Sequence, residues 1–184
     1  MSPVLPSARR RAALTATLVL PAALLGGGCS LTHGGSCDGT VAAREDLAAR
    51  PVLSAAPDGA SEPANHRGVA VSTGCDDDSP GKAWLHADRV YAFTGTRQAV
   101  IEHYARTAAA QGWRDEPDPA PGGAPAAEEG ACWTRTAHGR HLVLTVDFRL
   151  GGWSPAPDVG PGLAYEVSVA SNADGSAEDA GCWS

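Results

Sequence analysis

The stretch Leu142-Val143-Leu144-Thr145-Val146-Asp147-Phe148 decides how this chain folds. Side chains of an extended strand alternate between faces, so Leu142, Leu144, Val146 and Phe148 line one side and Val143, Thr145 and Asp147 the other. One continuous apolar face beside a mixed one belongs to a sheet buried on a single side. Tyr165, Val167 and Val169 repeat the pattern, with Glu166 and Ser168 turned outward. Upstream, His138-Gly139 reads as the turn from an earlier strand over Cys132 to Thr136.

Two strands are expected before these. Val69, Val71 and Thr73 alternate with Ala70 and Ser72 in a first strand that ends at Cys75, and Arg89 to Thr94 forms a second. Thr96 is placed to cap a helix from Arg97 to Gln111, its hydroxyl accepting from a first-turn amide that has no partner within the helix. Ile101, Tyr104, Ala105 and Ala108 give that helix one apolar stripe, and Gly112 can take the left-handed conformation that ends it. A Pro/Gly-rich acidic loop over 114–130 follows. The expected fold is therefore α+β, one helix packed on a mainly antiparallel five-stranded sheet in the order ββαβββ.

At the amino terminus, Arg9-Arg10-Arg11 precede fourteen uncharged, mainly apolar residues, Ala12 to Leu25, and then Gly26-Gly27-Gly28-Cys29. The run is too short for a membrane span and of the length of a signal peptide. Leu24-Leu25-Gly26-Gly27-Gly28-Cys29 resembles the lipobox of bacterial lipoproteins, with Gly26 where that family commonly has leucine. The resemblance implies cleavage before Cys29, acylation of its thiol, and a position on the outer face of the cytoplasmic membrane. The expected organisation is a signal peptide over 1–28, an anchor, tether and lead-in over 29–66 with a short helix at Thr40 to Ala49, and a globular domain over 67–184.

Composition is in keeping with export. Removing residues 1–28 deletes three arginines and no acid, taking the net charge from −7 to −10, which disfavours nucleic acid as a partner. Cys37, Cys75, Cys132 and Cys182 are widely spaced, with no Cys-x-x-Cys pair to hold zinc, and read as two disulfides. If the helix crosses over to a strand parallel to the second, Cys75 and Cys132 fall at one end of the sheet and pair, leaving Cys37 for Cys182. One lysine against thirteen arginines, with abundant Ala, Gly and Pro, makes the chain resemble the small lipoproteins of high-G+C Gram-positive bacteria; no activity or cofactor comes with that resemblance.

The chain has no Gly-x-Ser-x-Gly, no phosphate-binding glycine loop and no His-Glu-x-x-His. Asp76-Asp77-Asp78 begins like a calcium loop, but Pro80 and Ala87 stand at positions five and twelve of that pattern, so a solvated acidic turn is expected rather than a metal site. The same strand directions gather Trp84, Trp133 and Trp153 with Asp76, Asp77 and Asp78 at one end, and Arg67, Arg97, His138 and Arg140 at the tethered end. Tryptophan faces and carboxylates suit sugars or cations. The function expected on this basis is a non-enzymatic, lipid-anchored binding or interaction domain, its partner a cell-wall glycan or an envelope protein. The alternatives are a hydrolase built on Asp76, Asp78 and His86, and a purely structural envelope component. Convergence of those three side chains in a concave pocket would favour the hydrolase.

Overall fold

A computed structural model describes residues 36–182 apart from 70, 78–80 and 117–129. Helix α1 (Val41–Ala48) is followed by short 3-10 turns at Pro51–Ser54 and Ala64–His66, then β1 (Ser72–Asp76), β2 (Trp84–Phe93), α2 (Arg97–Ala110), β3 (Arg114–Asp115), β4 (Gly130–Ala137), β5 (Arg140–Asp147) and β6 (Leu163–Asn172). All strands pair antiparallel in one sheet of order β1-β2-β6-β5-β4-β3. The fold is α+β, but the expected single helix on five strands is corrected to two helices and six strands. The added strand, β3, has two residues, too few to show any alternation in sequence.

Leu142, Leu144 and Val146 of β5 and Tyr165, Val167 and Val169 of β6 are buried together on one face with Leu85, Ala87 and Tyr91 of β2. Helix α2 lays Val100, Tyr104 and Ala108 onto that face, with Ile101 and Ala105 at the flank of the stripe. Thr96 Oγ1 accepts from the Ala99 amide at 3.2 Å, and Gly112 has φ 78°, so both helix ends are built as their residue types require.

The segment before β1 contributes to the same core. Leu47 of α1 and Val52 and Leu53 of the following turn are fully buried, and the Tyr91 hydroxyl donates to the Leu53 carbonyl at 2.7 Å. At roughly 1.5–3 kcal/mol for each such aliphatic side chain, their burial is comparable to the net stability of a domain, about 5–15 kcal/mol. The fold depends on these residues, although the sequence pattern around them is only that of a lead-in.

All four cysteines described are paired, but the pairing is Cys37–Cys75 and Cys132–Cys182. The expected Cys75–Cys132 and Cys37–Cys182 bridges are corrected because β4 does not run parallel to β2. After α2 the chain makes β3 and returns, so β4 runs opposite to the expected direction and Cys132 lies at the other end from Cys75.

The expected electrical polarity fails for the same reason. Trp84 opens β2 opposite Asp76 and Asn172, and Arg140 Nη1 donates to the Asn172 carbonyl at 2.6 Å, so Trp84 shares its end of the sheet with the His138 turn. Trp153 follows β5 at the opposite end, where the Arg97 guanidinium lies 5.3 Å from the Phe148 ring centroid. Among the described residues no helix is long and apolar enough to cross a membrane.

Candidate active site

The helices cover one face of the sheet; the residues of opposite parity form the other. Strand register sets them in rungs: Asp76 beside Trp84 and Asn172; Gly74 beside His86, Ala170 and Val143; Ser72 beside Asp88, Ser168 and Thr145; Val90 beside Glu166 and Asp147. A cavity of about 490 Å³ opens on this face, and Asp76, Trp84, His86, Asp88, Trp153 and Glu166 are among its lining residues.

At its centre the His86 Nδ1 and the Asp88 Oδ2 are hydrogen-bonded, and the Ser168 hydroxyl donates to Asp88 Oδ1 at 2.6 Å. His86 Nε2 lies 3.7 Å from Asp76 Oδ2 across the β1–β2 pair. Exposure is graded outward, from 12% for the Asp88 side chain to 26% for His86 and 65% for Asp76. Two hydrogen bonds, from the imidazole and from the Ser168 hydroxyl, satisfy this largely buried carboxyl group. Asp88, first of all, holds the imidazole pKa above its ordinary value, against the opposing effect of burial; Asp76 and Glu166 add weaker pulls in the same direction.

Glu166 lies two rungs from His86. Desolvation raises its pKa above the ordinary carboxylate value, opposed by the Trp153 indole N–H, which donates to Oε2; Asp88 and Asp147 push it further up. Trp153 is held over the site by the loop after β5, its ring 5.3 Å from the edge-on His66 ring, and His66 Nε2 lies 3.2 Å from the Pro155 carbonyl. The site thus contains a base oriented by a buried carboxylate and, close by, a carboxyl group biased toward keeping its proton, the pairing that acid–base catalysis requires.

Of the residues singled out from sequence, Asp76, Trp84, His86 and Trp153 line this cavity. Trp133 does not: it is buried in the core on the helix-covered face. Asp77 is exposed and accepts from the Cys37 amide at 3.4 Å, and Asp78 and Cys29 lie outside the described residues. Asp88 and Glu166 were not anticipated as site residues. For Asp88 a signal is present, since His86-x-Asp88 places two side chains on one face of any strand, but the expected second strand starts at Arg89, after both of them. The expectation of a domain without catalytic chemistry is overturned by the Asp76–His86–Asp88 network, which favours the hydrolase alternative, with Asp88 rather than Asp78 as the second carboxylate of the observed cluster. Among the described residues no group of three His, Cys, Asp or Glu side chains is placed to hold a metal ion. No protein-family model matches this chain, and searches of curated proteins and of solved structures find no significant similarity.

Proposed function

We propose that the protein is a hydrolase in which His86, oriented by Asp88, activates water. The observation that carries this reading is the Asp88–His86–Asp76 line set in an open cavity with the imidazole Nε2 away from the buried carboxylate. With Nδ1–H donated to Asp88, Nε2 bears the lone pair and can accept a proton. The bonded hydroxyl of the cluster, on Ser168, gives its proton to Asp88 rather than to His86, so the nucleophile is water and not that serine. In the step proposed, Nε2 takes a proton from water as its oxygen forms the new bond to the substrate's electrophilic carbon. The bond to the leaving group then breaks, and that group receives a proton from Glu166 or from the imidazolium. Hydrolysis balances with no further reactant.

Trp84 and Trp153 offer aromatic surface and Asp76 and Ser72 offer polar groups, a combination that suits a polyhydroxylated substrate such as an acylated or glycosidic envelope component. We further infer that the domain works outside the cytoplasm, anchored through acylated Cys29. That reading is supported by the lipobox-like Leu24 to Cys29 stretch and by the two disulfides, which persist in oxidising compartments. Fatty-acid labelling of wild type and of Cys29→Ser tests it, and label retained in the variant refutes it.

The catalytic reading is tested with a panel of chromogenic sugar esters and glycosides. Wild type should hydrolyse at least one class, with His86→Ala slower by roughly 10²–10⁴-fold. Equal rates for wild type and His86→Ala across the panel would refute it.

A further inference from the structure

We infer a second, separate binding site, for a phosphate-type oxyanion, at the free edge of β4. Strand β3 covers β4 only at Trp133 and Thr134, through Asp115 and Arg114. Past that point no described strand lies beside Arg135, Thr136 and Ala137. A cavity of about 370 Å³ occupies this corner, lined by Gly112, Arg114, Thr134, Arg135, Thr136 and His141.

Register explains how two arginines come to line one cavity. Arg114 pairs with Thr134 and His141 with Thr136, so these four lie on the open face of the sheet. Arg135 belongs to the helix-covered face and also lines a neighbouring cavity there with Arg50 and Trp113; at an edge with no described strand beside it, the residue borders both spaces. Backbone groups on a strand alternate as well. The Cys132 carbonyl accepts from the Glu116 amide on the β3 side, so the Thr136 N–H two rungs on is directed to the same edge.

Every other chemical property of the corner is one-sided. Among the described residues neither Arg114 nor Arg135 has an ion-pair partner, whereas Arg50, Arg89 and Arg140 are each committed to carboxylates or carbonyls. Among the described residues, the two acids that follow Arg114 in sequence are placed elsewhere: Asp115 alternates to the other face, and Glu116 accepts from the Cys182 amide. In a chain of net charge −7, two arginines without an ion-pair partner among the described residues, a histidine and two threonines line one cavity, with no acidic residue among its lining residues. Forked guanidinium donors match the oxygens of phosphate, and hydroxyl and amide donors complete such a site. The ligand chemistry is a phosphate mono- or diester, carried by a free metabolite or by a lipid headgroup.

The inference is tested on the full chain by following the His141 ring resonances during titration with inorganic phosphate at constant ionic strength. Saturable shifts are expected, with affinity reduced roughly tenfold in Arg114→Gln and in Arg135→Gln, and less in the charge-preserving Arg114→Lys. A second arm compares chain carrying Cys29→Ser on vesicles of phosphatidylglycerol and of phosphatidylcholine. Arginine-dependent binding to the first alone assigns the phosphate to a headgroup; saturation by inorganic phosphate without vesicle binding assigns it to a soluble ligand. No saturable shift and no preference between vesicles, or effects equal in wild type and both Gln variants, would overturn it. Hydrolysis by His86 is untouched by either outcome, because none of these residues lines the catalytic cavity.

Discussion

The His86 ring lies directly on the backbone of Gly74: a Cβ built on that glycine would meet Nε2 at 2.1 Å. The two residues are register partners on adjacent strands, and the missing side chain of one makes the space for the imidazole of the other. Gly74→Ala should therefore swing the ring away from Asp88 while leaving the β1–β2 pairing intact. The expected outcome is a loss of hydrolysis approaching that of His86→Ala, with unfolding free energy changed by about 1 kcal/mol or less, since the clash falls on a movable side chain rather than on backbone. Paired rate and thermal-unfolding measurements check it. Full activity in the alanine variant would show that the observed ring position is not the working one.

The bond from His86 to Asp88 sets a pH dependence of definite sign. Because the folded imidazole titrates above its ordinary value of 6.5, its contribution to stability is complete below about pH 6.5 and disappears as pH rises through the folded pKa. Activity should move the other way, rising through that same pKa as Nε2 loses its proton. In Asp88→Asn both inflections should shift to lower pH and the rate should fall, since the oriented tautomer is lost. Nuclear magnetic resonance titration of the ring beside a pH–rate profile checks it; an unmoved imidazole pKa would contradict the assignment.

Glu166 predicts the opposite linkage. Its folded pKa is raised above 4.5 by burial, so the unfolded chain ionises first and the fold loses stability as pH climbs from about 4.5 through the folded value. Replacing the carboxyl by an amide removes that loss while keeping an acceptor for the Trp153 indole. Glu166→Gln should melt higher than wild type at pH 7, with the difference closing at pH 4, and should be slow in hydrolysis. Melting curves at the two pH values decide it, and a variant less stable at pH 7 would refute the desolvation argument.

The bridge Cys132–Cys182 closes a loop with a sequence separation of 50 and ties the segment after β6 back to β4. Constraining a loop of that length restricts the unfolded chain by roughly 4 kcal/mol. Cys132→Ser with Cys182→Ser should therefore lower stability by about 2–4 kcal/mol, and non-reducing peptide maps of wild type should link Cys37 only to Cys75. A Cys75–Cys132 peptide would contradict the structure.

By itself the sequence determined every element whose signal is local. Alternation marked β5 and β6, Thr96 and Gly112 bracketed α2, and the short helix after Thr40 appears as α1. These follow from side-chain period and capping chemistry, which neighbouring residues specify among themselves. Strand direction does not follow from them. The two residues of β3 reverse the chain, and with that reversal went the disulfide partners, the grouping of the tryptophans and the strand count. Of the candidate site, Asp76 and His86 are named from sequence and Asp88 and Glu166 are not, for a related reason. Leu85 and Ala87 alternate with His86 and Asp88, but alanine is a weak marker of burial, so the beginning of β2 carried too little contrast to be recognised. Bringing Ser168 to Asp88 and Asp76 to His86 spans separations of 80 and 10 residues. Those contacts exist because β6 and β1 flank β2 in one register, and register is decided by the packing of the whole buried face rather than by any single strand.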